Sequence, residues 1–174
     1  QKRECVVLQK GYSLARITLS EKGYSGQRKD TSGPAISDLI SAHLPISWEQ
    51  GYLLPDVKND LTGLLSNLSR EQSFDLILTT GSTGITSRDI APEATQQVIE
   101  RRLPGFEQQM TRASLAETTH GIISRAVAGI ANRSLIINLP GSPAAVETNL
   151  TAVLPALKHT LDKLQDDPTE CANQ

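Results

Sequence analysis

The chain of 174 residues has few aromatic side chains, few cysteines and no large excess of charge of either sign. It contains two Phe, three Tyr and one Trp, so its core must be built from Leu, Ile, Val and Ala. Hydrophobic residues still make up 38% of the chain, an ordinary share for a globular domain once glycine is added. The length therefore predicts one globular domain and is too short for two well-buried cores.

The charge balance excludes proteins that hold their partners by a general electrostatic attraction. Seventeen Lys and Arg stand against nineteen Asp and Glu, which leaves a net charge of −2. We therefore expect no nucleic acid and no membrane among the partners, and no apolar run is long enough to cross a bilayer. A phosphate-bearing ligand must instead be held locally, by backbone amides and a few side chains.

The two cysteines indicate neither a disulfide framework nor a metal site. Cys5 and Cys171 lie near opposite ends of the chain, and no closely spaced metal-ligand pair accompanies them. No segment has the pattern of a signal peptide, although the chain begins at Gln1 rather than Met, so an upstream segment can precede it. We therefore expect a cytoplasmic protein.

Short β-like runs alternate along the chain with helical ones, which predicts an α/β sheet covered on both faces. We predict strands at 14–19, Ile46–Leu54, Leu76–Thr80 and Ser134–Leu139. A helix should begin with Thr31 and Ser32 as hydroxyl caps and end at 44. Further helices are predicted after Asp56, at 91–101, at 105–117, after Pro143 and at 154–164.

Three of the predicted strands run into turns that are rich in glycine, proline or polar residues. These turns begin at Ser20, at Thr80 and at Leu139. Because the carboxyl ends of parallel strands share one edge, we expect the turns to converge there. In Gly81-Ser82-Thr83-Gly84 the backbone can approach a ligand closely, and the next helix can present amides to an anion. The alternative is a simple tight connection, and the loop lacks the spacing and the lysine of a P-loop.

Carboxylates near these turns have two interpretations. Asp56 follows a predicted strand, so it either caps the next helix or points to a ligand at the sheet edge. Asp89 is either a solvated loop charge or a functional carboxylate. Together they can hold Mg²⁺, which takes one or two carboxylates plus substrate phosphates. Asp30 is a weaker candidate of the same kind.

Nucleophilic catalysis receives little support from the sequence. His43, His120 and His159 lie far apart, and we predict a structural place for each. The Gly-x-Ser-x-Gly pattern of a nucleophile elbow is missing. Ser142 is therefore predicted to cap a helix within a turn.

Several segments, in order along the chain, resemble the molybdopterin-binding family, most closely the MogA/MoaB group and the G domain of gephyrin. The main ones are TTGSTGITSRDIAPEAT (79–95), ERRLPGFEQQM (100–110), IISRAVAGI (122–130) and LIINLPGSPAAV (135–146). GYSGQRKDTSGPAI (23–36) and LPALKHTLDKL (154–164) fit the same group. The resemblance covers roughly residues 14–164.

The resemblance implies a three-layer α/β/α sandwich with a mostly parallel sheet, commonly assembled as a homotrimer. It implies a molybdopterin adenylyltransferase, which transfers AMP from Mg-ATP to the terminal phosphate of molybdopterin and releases pyrophosphate. Mg²⁺, ATP and molybdopterin are then the expected ligands, and a protein that inserts molybdate is an expected downstream partner. The domain should span 13–165, with 1–12 as an extension or junction and 166–174 as a flexible tail.

The resemblance also implies site residues. Asp56 and Asp89 match functional aspartates and are the expected catalytic residues and Mg²⁺ ligands. The residues expected to bind molybdopterin and its phosphate are Ser20, Thr80, Gly81, Ser82, Thr83, Gly84, Asn138, Pro140, Gly141 and Ser142.

Two positions depart from the family pattern. The family usually has Gly-Gly-Thr-Gly where this chain has Ser82 at the second position, and a positive φ there would strain a serine. It usually has Ser-Asp at the end of the first strand, where this chain has Ser20-Glu21. These departures leave open a molybdopterin carrier or scaffold without transfer activity. The related domain of nicotinamide-nucleotide hydrolases fits less well, because its usual partner domain is absent and Ser-Arg-Asp (87–89) suits the adenylyltransferases better.

Overall fold

The computed structural model describes residues 11–165, which form a six-stranded sheet between two layers of helices. The strands are β1 (Tyr12–Leu19), β2 (Ile46–Leu54), β3 (Leu76–Thr80), β4 (Arg101–Arg102), β5 (Ala128–Ala131) and β6 (Ser134–Leu139). Their order is β2-β1-β3-β6-β5-β4. Strands β2, β1, β3 and β6 are parallel, while β5 runs antiparallel to both β6 and β4. The predicted α/β sandwich with a mostly parallel sheet is confirmed.

Within residues 11–165, six helices cover the sheet. They are α1 (Glu21–Tyr24), α2 (Ser32–His43), α3 (Lys58–Ser66), α4 (Ala91–Val98), α5 (Pro104–Glu117) and α6 (Pro143–Leu164). A π-helical turn (Asn67–Glu71) and a 3₁₀ turn (Thr119–Ile123) accompany them. None of the helices described is both long enough and apolar enough to cross a membrane.

The core lies on both faces of the sheet, as the alternation along β1 and β3 requires. Leu14 and Leu78 pack on the side of α2, α5 and α6, whereas Ile17 and Ile77 pack on the side of α3 and α4. The central strands are therefore buried on both faces, which explains why β3 and β6 are nearly continuous apolar runs.

The predictions of β2, β3 and β6 were accurate, whereas β4 and β5 were not predicted. β1 was predicted, but it starts earlier than expected. β1 begins at Tyr12, inside the stretch expected to be an extension, because Tyr12 is 6% exposed and joins the core. The helix predicted at 91–101 ends at Val98, and Arg101–Arg102 pairs with β5 instead. The remainder of the expected extension and the expected tail lie outside the described residues.

The two helices expected after Pro143 are one continuous helix, α6. An interior proline costs a helix about 3 kcal/mol or more through a lost hydrogen bond and a steric clash. Here α6 passes through Pro155 because its buried residues continue on both sides of it, among them Val153 and Leu157. Burial of that face offsets the cost.

The first turn of α2 is capped by Asp30 and not by the hydroxyls predicted for this place. Asp30 Oδ1 accepts the N–H groups of Ser32 and Gly33 at 3.1 and 3.0 Å, and Oδ2 accepts the Thr18 hydroxyl at 2.8 Å. The Thr31 side chain makes no cap hydrogen bond. Since both oxygens of Asp30 are engaged in this structure, it is a poor candidate for a metal ligand.

The pKa of Tyr12 predicts how the free energy of unfolding depends on pH in the alkaline range. Its hydroxyl donates to Asp162, and burial together with this bond raises the pKa of Tyr12 from 10.0 to about 12. The unfolded chain loses this proton first, so the free energy of unfolding should fall between about pH 10 and pH 12. Urea unfolding at a series of pH values measures it, with Tyr12→Phe as the comparison. An equally steep fall in Tyr12→Phe would show that another group, such as Lys158, is responsible.

Candidate functional site

The ends of the parallel strands surround a cavity of about 410 Å³. Ser20 and Glu21, which directly follow β1, line this cavity together with Asp56, which follows β2. The convergence of turns at one sheet edge is therefore confirmed. Eight of the predicted residues line this cavity: Ser20, Asp56, Thr80, Gly81, Ser82, Asp89, Gly141 and Ser142.

Gly81 joins three strand ends at the floor of the site. Its φ of +92° is in the region that favours glycine, and its N–H donates to Leu139 O at 3.0 Å. A Cβ at this position would lie 2.5 Å from Leu19 O. The neighbouring Thr80 hydroxyl donates to Pro140 O at 2.6 Å. The loop after β3 is thus hydrogen-bonded to the end of β6 and lies in close contact with the end of β1.

Ser82 adopts the positive φ that the family pattern predicts for a glycine, at +60°. Left-handed backbone costs a non-glycine residue about 1–2 kcal/mol. Two hydrogen bonds offset this cost: Ser82 Oγ accepts the Ile90 N–H at 2.8 Å and donates to Arg88 O at 3.2 Å. Ser82, whose backbone is strained, thus uses its side chain to stabilise the segment that carries Asp89.

Arg125 clamps the same loop from a distant part of the chain. Its Nε donates to Gly84 O at 2.6 Å, its Nη2 donates to Asp89 O at 3.1 Å, and its Nη1 pairs with Glu93. Its own N–H donates to Thr83 O at 2.9 Å. No local pattern indicates this role, because Arg125 and Gly84 are 41 residues apart.

We expect Arg125→Ala to make the loop at Gly84 more mobile. The adenylyltransferase activity that the resemblance implies should then fall about 100-fold, since misplacing a reacting group by about 1 Å can lower a rate that much. Loss of hydrogen bonds from a charged donor should also lower the free energy of unfolding by about 1–3 kcal/mol. Steady-state kinetics and urea unfolding measure the two effects. The exposed Arg112→Ala serves as the matched control. Unchanged activity in Arg125→Ala would remove Arg125 from the support of the site.

Asp56 does not cap the following helix, contrary to one interpretation of the sequence. Val57 occupies the cap position of α3, which has no side-chain cap hydrogen bond. Asp56 Oδ1 is buried, and no residue within 11–165 donates a hydrogen bond to it. Burial raises the pKa of Asp56; the nearby Ser82 side chain lowers it, and the charges of Glu21 and Asp89 raise it, so that the net shift is upward. The Asp56 carboxylate is therefore available for a ligand.

Asp89 is held in its own turn. Its Oδ2 accepts the Thr86 N–H at 2.8 Å and the Thr86 hydroxyl at 2.7 Å. Within residues 11–165, no three His, Cys, Asp or Glu side chains are grouped so that they could hold a metal ion alone. A cation here would need ligand oxygens as well, which is the usual arrangement for Mg²⁺ bound with phosphates.

Four cations also line the cavity and were not singled out in the sequence. They are Lys22, Arg28, Lys29 and Arg88. Three of them belong to the charged segment between β1 and α2, a concentration that is visible in the sequence. They provide local positive charge in a chain whose net charge is −2.

A second cavity of about 400 Å³ lies on the other side of the Gly81–Gly84 loop. Three predicted residues, Thr83, Gly84 and Pro140, line it, and Ser142 lines both cavities. No Lys or Arg is among its lining residues. Most of the rest come from α5, the 3₁₀ turn and α6, which the sequence did not assign to the site: Ser114, Glu117, Thr118, His120, Gly121, Ile123, Ser124, Ala144, Ala145, Thr148 and Asn149.

Asn138 lines neither cavity, which corrects the ligand contact expected for it. Its side chain is 0% exposed. Its Nδ2 donates to Thr79 Oγ1 at 2.9 Å and Thr95 Oγ1 at 2.8 Å, and its Oδ1 accepts the Val127 N–H. Asn138 is a buried tie between β6, β3 and α4.

The family model described as "Probable molybdopterin binding domain" matches residues 15–159. The chain belongs to this molybdopterin-binding family. It is 40% identical over 147 residues to a molybdopterin adenylyltransferase of Helicobacter pylori, covering 84% of each chain. A molybdopterin adenylyltransferase of Escherichia coli is 36% identical over 141 residues, which are 80% of this chain and 72% of that protein.

A solved member of the family has the same architecture. The crystal structure of the molybdopterin biosynthesis enzyme MoaB from Thermus thermophilus superimposes with a TM-score of 0.82 at 36% identity. The match covers 91% of this chain and 99% of that one. Both the resemblance in the sequence motifs and the fold it implied are confirmed.

Proposed function

We propose that this chain is a molybdopterin adenylyltransferase that transfers AMP from ATP to the terminal phosphate of molybdopterin. The observation that carries the proposal is the pair of cavities flanking the Gly81–Gly84 loop. A reaction between two substrates needs two adjacent sites that meet where the bond forms. Relatives named molybdopterin adenylyltransferase match most of this chain and support the assignment.

The charged cavity suits the triphosphate of ATP. Lys22, Arg28, Lys29 and Arg88 offer cationic groups to phosphate oxygens, and the cavity also contains backbone of the glycine loop. Four carboxylates line the same cavity: Glu21, Asp30, Asp56 and Asp89. We infer that the cations bind the phosphates, while Asp56 and Asp89 bind the metal ion that accompanies them.

The second cavity suits the pterin. Its lining includes apolar side chains, such as Ile123, Pro140 and Ala144, together with hydroxyl and amide groups. This combination is typical of sites for flat heterocycles. Thr83 and Gly84 bring the phosphate loop to its edge, so that a terminal phosphate would lie between the two cavities.

Mg²⁺ fits the residues at the first cavity. Asp56 Oδ1 is buried without a hydrogen bond in the described part of the chain, which suits an oxygen that binds a metal ion. Asp56 and Asp89 would hold the ion. When bound, it would neutralise charge on the phosphates and favour release of the pyrophosphate group.

The residues of this chain catalyse the transfer mainly by positioning and electrostatics. An oxygen of the molybdopterin phosphate forms a bond to the α-phosphorus of ATP as the bond to the oxygen bridging to the β-phosphate breaks, and pyrophosphate leaves. The Gly81–Gly84 loop orients the attacking phosphate. Arg88 and the lysines stabilise the negative charge that moves onto pyrophosphate.

Pyrophosphate release from Mg-ATP, measured with and without molybdopterin, tests the proposed function. Release that depends on molybdopterin is the expected result. Tight binding of molybdopterin with no release at saturating Mg-ATP would contradict it and indicate the carrier or scaffold alternative.

We propose further that the protein acts as a homotrimer in the cytoplasm, where ATP is supplied, upstream of a protein that inserts molybdate. Ile85 and Ile122 are 67% and 74% exposed, and large apolar side chains exposed on a surface favour contacts between proteins. Light scattering should give about three times the monomer mass of 18.8 kDa. A mass of one chain would contradict the trimer.

A further inference from the structure

Glu21, at the start of the short helix α1 after β1, is hydrogen-bonded to Asp56, two residues beyond the end of β2. Its Oε1 accepts the backbone N–H of Asp56 at 3.0 Å. The two strands are paired to their last residues, with Leu19 opposite Leu54. Beyond that pair no strand ladder holds Asp56, and α3 begins only at Lys58. The Glu21 carboxylate therefore stabilises Asp56 at a place where the secondary structure does not.

Ser82 stabilises the backbone on both sides of Asp89. Its hydroxyl accepts the N–H of Ile90 and donates to the carbonyl of Arg88, the two residues that flank Asp89 in the chain. Asp89 lies in irregular backbone between β3 and α4. A strained serine thus holds the backbone on both sides of the second carboxylate.

We infer that Glu21 and Ser82 are positioning residues that set the separation of the Asp56 and Asp89 carboxylates. The catalytic part of this inference rests on the proposed function. Neither residue needs to touch substrate for it, because Glu21 acts through the backbone of Asp56 and Ser82 acts through the backbone of the two residues that flank Asp89. The length of the Glu21 side chain is part of the inference, since the bond spans the gap from β1 to Asp56.

Three substitutions of Glu21 separate its bond from its charge. Glu21→Ala removes the acceptor of the hydrogen bond, and Glu21→Asp shortens the side chain by one methylene. Both substitutions should lower kcat about 10- to 100-fold, while KM for ATP and Tm should change little. Glu21→Gln retains an oxygen at the same reach and should keep more activity than either. Equal losses in Glu21→Gln and Glu21→Ala, or wild-type kcat in Glu21→Ala, would overturn the inference.

Ser82→Gly tests the second half. Glycine adopts the positive φ without strain but lacks the hydroxyl, so stability should be kept while kcat falls about 10-fold. Ser82→Ala keeps the strain and loses both hydrogen bonds, so both kcat and Tm should fall. Wild-type kcat in Ser82→Gly would show that the hydroxyl positions nothing. Glu71→Ala, on the exposed end of the π-helical turn, is the control for substitution itself.

A measurement independent of activity separates this inference from the proposed function. Amide hydrogen exchange should be slow at Asp56 in the wild type and in Glu21→Gln, and fast in Glu21→Ala. If the wild-type protein transferred no AMP, the proposed function would fail, while protection at Asp56 would still support positioning. Equal exchange at Asp56 in the wild type and Glu21→Ala would overturn the role of Glu21 in either case.

Discussion

Replacing Asp56 with asparagine is expected to lower kcat for AMP transfer about 10²- to 10³-fold while making the folded protein more stable. Activity falls because a charged ligand oxygen at the reacting phosphates is lost. Stability rises because the partial burial of the Asp56 charge is unfavourable: desolvation and the charges of Glu21 and Asp89 raise its pKa by more than the Ser82 side chain lowers it. Removing such a charge favours the folded state at neutral pH. Initial rates of pyrophosphate release and urea unfolding at pH 7 measure the two changes.

Asp60→Asn is the matched control for this prediction. Asp60 is exposed in the first turn of α3, close in the chain to Asp56 but outside the cavity lining. It should retain wild-type activity and should not gain stability. Near-wild-type kcat in Asp56→Asn would remove Asp56 from the mechanism, and a large loss of stability would contradict the electrostatic argument.

Gly81→Ala should destabilise the fold by about 2–4 kcal/mol and abolish measurable activity at the working temperature. The methyl group would lie 2.5 Å from the backbone oxygen of Leu19, and φ at this residue is +92°. Backbone cannot rotate away as a flexible side chain does, so the strand ends must separate. Thermal unfolding and steady-state kinetics test this expectation.

Gly63→Ala provides a control of opposite sign. Gly63 lies inside α3, and a Cβ there meets nothing within 4 Å. Alanine should therefore stabilise the helix by about 0.5–1 kcal/mol. If the two alanine variants had similar stability, the close approach at Gly81 would not be the determining contact.

Much of the fold could be predicted from the sequence because its strongest signals are local. The apolar runs of β3 and β6 and the alternation in β2 placed three strands at the bounds found in the structure. Weak local signals failed. β5 is four small or branched residues, and β4 is two arginines whose pairing depends on β5. The prediction of two separate helices, one after Pro143 and one at 154–164, was wrong because burial of the apolar face of α6 outweighs the hydrogen bond lost at Pro155.

The site was predicted in outline for a similar reason. Parallel strands deliver their turns to one edge, so Ser20, Asp56 and Gly81 could be brought together without knowing a single contact. Side-chain direction was not predictable in the same way. Asn138 stands one residue before Leu139 at that edge, yet it points into the protein to join Thr79 and Thr95.

The sequence by itself determined the layered α/β fold, the sheet edge where the turns converge and the family, since periodicity and motifs are properties of neighbouring residues. Only the tertiary structure decided what supports the site. Arg125 reaches Gly84 across 41 residues, and Glu21 reaches Asp56 across 35. The second cavity also forms only when α5 and α6 pack beside the loop. Such contacts depend on how distant segments pack, and no local pattern encodes the distance between them.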